Sequence, residues 1–159
     1  MNTSDFKSQY GPAALVTGAS SGIGKSFATL LASKGLDVVL VARRIQRLEN
    51  LADQLRSEFG VQVTISQVDL SKPEAAKQIL ALTQSTDIGL VVSNAGFGLK
   101  GAYDTSDPSI MAEMLMVNCQ TPMLLAHGFI PRLKARGKGG LILTSSVEGF
   151  IGCPFSTAY

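Results

Sequence analysis

The residues Thr17-Gly18-Ala19-Ser20-Ser21-Gly22-Ile23-Gly24 have the types and spacing to hold an anion. An apolar run from Ala13 to Val16 leads in, and Ile23, Phe27, Leu30 and Leu31 follow at helical intervals, so the octet reads as a tight strand-to-helix turn. Glycines there allow positive φ and a close approach of backbone amides to a ligand. The first N–H groups of a helix have no intrahelical partner and sit at the positive end of its dipole, so an anion such as a pyrophosphate suits that position. A plain glycine-rich turn with Ser20 or Ser21 as helix N-cap is the simpler alternative. The spacing Gly-x-x-x-Gly-x-Gly differs from the commoner Gly-x-Gly-x-x-Gly dinucleotide fingerprint, so support has to come from elsewhere in the chain.

That support is positional. After the first helix, Gly35 reads as a stop and residues 36–42 as a short β-branched strand. A helix then carries Ile45, Leu48, Leu51, Ala52, Leu55 and Phe59 on one face and ends at Gly60. Residues 61–66 alternate as a third strand, and Ser71 and Glu74 have capping-box spacing ahead of the next helix. Residues 88–92 form a fourth strand, closed by Asn94-Ala95-Gly96. Ser106, Asp107 and Pro108 offer a helix start, and the helical stretch 111–133 is expected to be interrupted near 118–122 and strained at Pro131. Residues 141–144 make a fifth strand. Strands alternating with helices imply right-handed crossovers and a parallel, doubly wound Rossmann-type α/β sheet, whose ligand sits beyond the carboxyl ends of the strands. Ser20 and Ser21, Arg43, Asp69, Asn94 and Ser146 follow strands one to five in turn, all at that end.

Composition narrows the class. The 159 residues suit one domain, with residues 1–11 expected to be a flexible N-terminus. Apolar residues reach 45% and charged residues 16%, as in a buried sheet under helices, and a net charge of +2 gives no case for nucleic acid. Apolar runs are far short of a membrane span and no secretory signal is visible, so the expected location is cytoplasmic, with Cys119 and Cys153 as reduced thiols. His127 reads as structural. Met111, Met114, Met116 and Met123 read as core or subunit-interface residues, not metal ligands.

With these motifs in order, the sequence resembles the short-chain dehydrogenase/reductase family across nearly its whole length. Thr17-Gly18-x-x-x-Gly22-x-Gly24 resembles the family's cofactor turn, and Ser93-Asn94-Ala95-Gly96 its Asn-Asn-Ala-Gly, with Ser in the first place. Asn118 matches the helix-interrupting Asn, and Ser146 precedes Tyr159 by the family's interval of 13 residues. The resemblance implies Tyr159 as proton donor to the alkoxide, Ser146 as hydrogen-bond donor to the substrate carbonyl, and Asn118 as keeper of a helix break and a relay water. It implies Gly18, Ser20, Ser21, Gly22, Ile23, Gly24, Asp69, Leu70, Asn94, Ala95 and Gly96 as cofactor contacts. The family's Tyr-x-x-x-Lys would need a Lys four residues beyond Tyr159, where the sequence given stops. The expectation is therefore a C-terminally truncated domain of five strands, nearly inactive by itself, with strand four and an edge strand five lacking a helical cover on one face.

Cofactor choice turns on Arg43 and Arg44. An NAD site places a carboxylate at the end of strand two to meet the ribose 2′-OH. Asp37 opens that strand instead, about 16 Å from the cofactor end at the usual rise per residue. Arg43 and Arg44 at the correct end favour a 2′-phosphate, so NADP is expected over NAD, although Ser21 stands where NADP-preferring relatives often carry a basic residue. The leading reading is an NADP-dependent carbonyl/alcohol oxidoreductase acting on a small molecule and, by family analogy, homo-oligomeric. A non-catalytic NADP(H)-binding sensor is the alternative.

Overall fold

The computed structural model describes residues 3–159. Its centre is a five-stranded sheet in the order β3-β2-β1-β4-β5. The strands are β1 (Ala13–Thr17), β2 (Asp37–Ala42), β3 (Val63–Gln67), β4 (Ile88–Ser93) and β5 (Gly140–Leu143). All four pairings are parallel. The helices are α1 (Thr3–Tyr10), α2 (Gly22–Ser33), α3 (Ile45–Phe59), α4 (Ala75–Leu82), α5 (Pro108–Leu115) and α6 (Thr121–Arg136). β1, β2 and β4 are buried almost throughout, which is why their sequences are near-continuous apolar runs.

Two apolar layers flank the sheet. Ala14, Val16, Val38, Leu40, Leu90 and Val92 face Leu31, Leu48 and Leu55 of α2 and α3. On the opposite face Leu15, Val39, Val41 and Val91 meet Ile79 of α4 and Leu125 and Phe129 of α6. The strand order reverses between β1 and β4, so the crevice for a ligand opens above those two strands.

Several sequence expectations need correction. Residues 3–10 form a helix where a flexible terminus is expected; Met1 and Asn2, the start of that segment, lie outside the described residues. Phe6 and Tyr10 of α1 stack with centroids 4.9 Å apart and pack on the first apolar layer. The signal is faint because α1 is mostly polar and has no buried residue. Gly89 marks its exit: the β1–β4 register slips there, and a Cβ at Gly89 would collide with the carbonyls of Tyr10 and Gly11. Leu90 and Val92 are buried, so β4 does not lack a cover on the first face. The expectation holds only for β5, where Ile142, on the same face as its neighbour Val92, is 36% exposed.

The Ser71–Glu74 capping box is also absent. α4 begins at Ala75, and no side chain caps it. Ser71 instead donates its N–H and O–H to Asp69 Oδ1, at 3.0 and 2.9 Å, closing a tight turn after β3. By contrast, Asp107 caps α5 through Ser109 N–H, and the helical stretch does break near Asn118, where Met116–Gln120 widen into a π-helical turn. Pro131 lies inside α6. Replacing Phe6 and Tyr10 together with Ala should lower stability by about 1–3 kcal/mol, read as a lower urea midpoint at unchanged slope. An unchanged midpoint would mean that α1 is not part of the cooperative unit.

Candidate functional site

The octet takes the strand-to-helix form, with a different task for each glycine. Gly18 and Gly22 have φ of 69° and 54°, the left-handed values that favour glycine. Gly24 is needed for close packing: a Cβ there would run into Gly18 O and Asn94 Nδ2. Ser21 occupies the N-cap position of α2 with an extended backbone, but its side chain does not cap the helix. The first N–H groups of α2 therefore receive no side-chain acceptor from that residue, and such groups suit an anion.

A buried threonine fixes the turn to the neighbouring strand. Thr17 Oγ1 accepts from the N–H groups of Asn94 and Ala95 at 3.0 and 3.2 Å. Asn94 Nδ2 donates back to Thr17 O, and Asn94 Oδ1 accepts from the Thr144 hydroxyl at 3.2 Å. The ends of β1, β4 and β5 are thus joined by a polar chain. Thr17 opens the octet read from the sequence, but its bonds to Asn94 and Ala95 across 77 and 78 positions have no local signal.

Gly18, Ser20, Ser21, Arg43, Arg44, Asp69, Leu70, Asn94, Ala95 and Gly96 surround a single cleft of ≈ 200 Å³, with Phe97 among the apolar lining residues that the sequence left unmarked. Gly22, Ile23 and Gly24 do not line it. Gly22 opens on an adjoining cleft, Gly24 is buried beneath the turn, and Ile23 is 61% exposed. Asp37 lies at the far end of β2, where its Oδ1 accepts the Gln62 N–H. No carboxylate stands at the Ala42 end of β2, where Arg43 and Arg44 follow.

Arg44 reaches back over the turn. Its Nη2 donates to Ser20 Oγ at 2.8 Å and Ser21 Oγ at 2.7 Å, and its Nε to Ser20 Oγ at 3.2 Å. A cation is thereby placed beside Ser21, the turn position that itself lacks one. Arg43 is exposed, and its charge reaches Asp69. Burial pushes the Asp69 carboxyl up, but the two bonds from Ser71 and the charges of Lys72 and Arg43 outweigh it and hold the pKa below the ordinary 3.8.

The three residues expected to be catalytic lie on separate segments. Asn118 sits in the π-helical turn, where Oδ1 accepts Phe97 N–H at 3.1 Å and Nδ2 donates to Phe97 O at 2.8 Å. Ser146 follows β5, and its Oγ accepts the Glu148 N–H at 3.2 Å, which leaves the hydroxyl proton free to donate. The Tyr159 ring lies over Gly98 and is 45% exposed. Among the described residues no hydrogen bond joins Ser146, Asn118 and Tyr159 to one another. Met114 is buried in the core and Met123 is exposed. Cys119 and Cys153 are free thiols.

The short chain dehydrogenase family model matches residues 12–159. The chain belongs to that family. It is 35% identical over 155 residues to a 7beta-hydroxysteroid dehydrogenase of Clostridium sardiniense, covering 98% of this chain and 59% of the relative. The bulky-bulky ketone specific alcohol dehydrogenase from Comamonas testosteroni superposes with a TM-score of 0.89 at 35% identity, over 94% of this chain and 61% of that one. A short-chain dehydrogenase from Sphingobium yanoikuyae, solved in complex with NADPH, gives 0.88 at 35% identity, over 93% and 59%. The chain therefore spans about three-fifths of the length of these relatives. No described helix is long and apolar enough to cross a membrane.

Thr17→Val keeps the shape but leaves two half-buried N–H groups without their acceptor, and should cost about 1–3 kcal/mol. Thr17→Ser, which keeps the acceptor, should recover most of this; equal losses for both in urea unfolding would deny the hydrogen bonds their role. Asp69 has a folded pKa below its unfolded value, so its stabilising contribution is present above about pH 4 and is lost as pH falls through the folded value. The stability gap between wild type and Asp69→Asn should accordingly narrow on acidification. A gap that is constant from neutral pH to pH 3 would contradict this.

Proposed function

We propose that this chain is the cofactor-binding part of an NADP-dependent oxidoreductase that interconverts a carbonyl and an alcohol. The observation that carries the reading is the Arg44 guanidinium bonded to Ser20 and Ser21 beside Arg43, at a strand end with no carboxylate. A 2′-phosphate suits two guanidinium groups and two hydroxyls, whereas a bare ribose 2′-OH would bring no negative charge to meet the cations. NADPH in the Sphingobium yanoikuyae relative supports the same choice.

The residues present fit the coenzyme. The α2 amides and Ser20 and Ser21 would hold the diphosphate, Arg43 and Arg44 the 2′-phosphate, Asp69 and Leu70 the adenine, and Asn94 to Gly96 the ribose side. When bound, the nicotinamide exchanges a hydride with the substrate carbon. Ser146 donates its free O–H to the carbonyl oxygen, which stabilises negative charge growing there. Tyr159 gives its phenol proton to that oxygen in reduction and takes it back in oxidation. Free tyrosine ionises only near pH 10, so turnover calls for a cation near its phenolate. Near-inactivity of the 159 residues alone is part of this reading. Asn118 bonds both backbone groups of Phe97, so it contributes by holding the widened turn and its loop in place, with one N–H and one lone pair left for a relay water. The substrate is a small carbonyl or alcohol compound. A cytoplasmic location and homo-oligomerisation complete the reading, the latter supported by the exposed Leu115 and Met123 along α5 and α6.

The test uses the full-length protein that contains this chain. Converting Arg43 and Arg44 to Ala should weaken NADPH binding by about 10- to 150-fold and leave NADH binding within about threefold. Tyr159→Phe should reduce kcat for carbonyl reduction by about 100-fold or more without changing coenzyme affinity. Tighter wild-type binding of NADH than NADPH, or full activity of the Phe variant, would overturn the proposal.

A further inference from the structure

Ser20 and Ser21 are a wall shared by two clefts. One is the cleft described above, and the other lies on the far side of the turn, between the starts of α2 and α3. Lys25, Arg47, Asn50 and Gln54 line this second cleft, which therefore holds two cations and no carboxylate. Among the described residues neither Lys25 nor Arg47 has an ion-pair partner. Neither is required by the core, since both are exposed.

The placement is electrostatically unfavourable for the fold itself. Arg44 is the N-cap residue of α3 and Arg47 lies in its first turn, where no acidic residue accompanies them. Positive charge there opposes the helix dipole. The first turn of α2 is likewise free of acid, and Lys25 follows it directly. Elsewhere basic groups are placed differently: Arg56 in the last turn of α3 pairs with Asp53, and Arg136 at the end of α6 pairs with Asp87. Unpaired cations concentrated at two adjoining helix starts indicate an anionic visitor, as unpaired charge in a cleft raises the local concentration of its counter-ion.

We infer that Lys25 and Arg47 form an outer cationic rim that draws in the 2′-phosphate of the coenzyme and delivers it to Arg43 and Arg44. The inference rests on the NADP reading above and adds to it two residues and a kinetic role. The phosphate monoester carries about −1.5 to −2 charges near neutral pH, so it feels such a rim far more strongly than a ribose hydroxyl does. The rim acts through space on the approach, while hydrogen bonding in the bound state falls to Arg43, Arg44 and the two serines. Its effect must therefore lie mainly in the association rate and must fade with salt.

Stopped-flow nucleotide fluorescence on the full-length protein, wild type against the double variant Lys25→Gln with Arg47→Gln, tests this. At about 20 mM salt the variant should bind NADPH about three- to tenfold more slowly and correspondingly more weakly. The gap should close at about 500 mM salt, where the screening length falls to a few ångströms. NADH, which brings the diphosphate but no 2′-phosphate, should be slowed clearly less than NADPH, the thermal midpoint should be unchanged, and Lys25→Arg with Arg47→Lys should behave as wild type. Equal slowing for NADPH and NADH, a gap insensitive to salt, or no slowing at all would overturn the inference while leaving the NADP assignment intact. A wild-type protein with no preference for NADPH would remove both.

Discussion

The hydroxyl of Thr17, buried and accepting from two consecutive backbone N–H groups, is the constraint on which the rest of the structure depends. β1 and β4 are neighbours across the point where the sheet reverses its strand order, and parallel strands diverge beyond their last ladder bond. Without a tie at that level the loops after Thr17 and Ser93 would be free to separate, and the cleft between them would have no fixed width. Thr17 supplies the tie. Gly24 then permits α2 to start directly beneath Gly18 and Asn94, where any Cβ would push the helix outward. Two small choices of residue, one hydroxyl and one missing methyl, set where the amides at the start of α2 point.

Charge is laid over this frame in a particular order. The turn itself carries only hydroxyls, at Ser20 and Ser21, and the cation comes from the neighbouring strand through Arg44. Asp69 balances the other side of the cleft as a carboxylate, kept ionised by bonds within its own turn and by the nearby cations. On the proposed NADP reading, separating the amides of the turn from the cations at the end of β2 would let the turn hold the diphosphate while the cations choose the coenzyme.

Much of the fold was legible because a parallel sheet writes itself as apolar runs of five or six residues between amphipathic helices. The glycine turn, the end of β2 and the π-helical break at Asn118 could be placed from spacing alone. α1 was not legible, since its polar sequence gives no hydrophobic face and only Phe6 and Tyr10 anchor it. The Ser71–Glu74 spacing misled because Asp69 competes for the same serine and wins through two short bonds within its own turn. Ile23 and Gly24, counted among the coenzyme contacts from the sequence, could meet a ligand only through their backbone, since the Ile23 side chain is exposed and Gly24 packs beneath the turn. Thr17 shows the general limit: the motif marks the residue, but its long-range hydrogen-bond partners have no local pattern to announce them.

The account stands on the backbone amides at the opening of α2 as the seat of the coenzyme diphosphate. Amide-resolved NMR on the full-length protein during titration with NADPH measures this directly. The largest shifts should fall on the N–H groups of residues 20–24, with a second set at Asn94 to Gly96. Saturable shifts confined to other parts of the molecule, with the glycine turn unmoved, would contradict it.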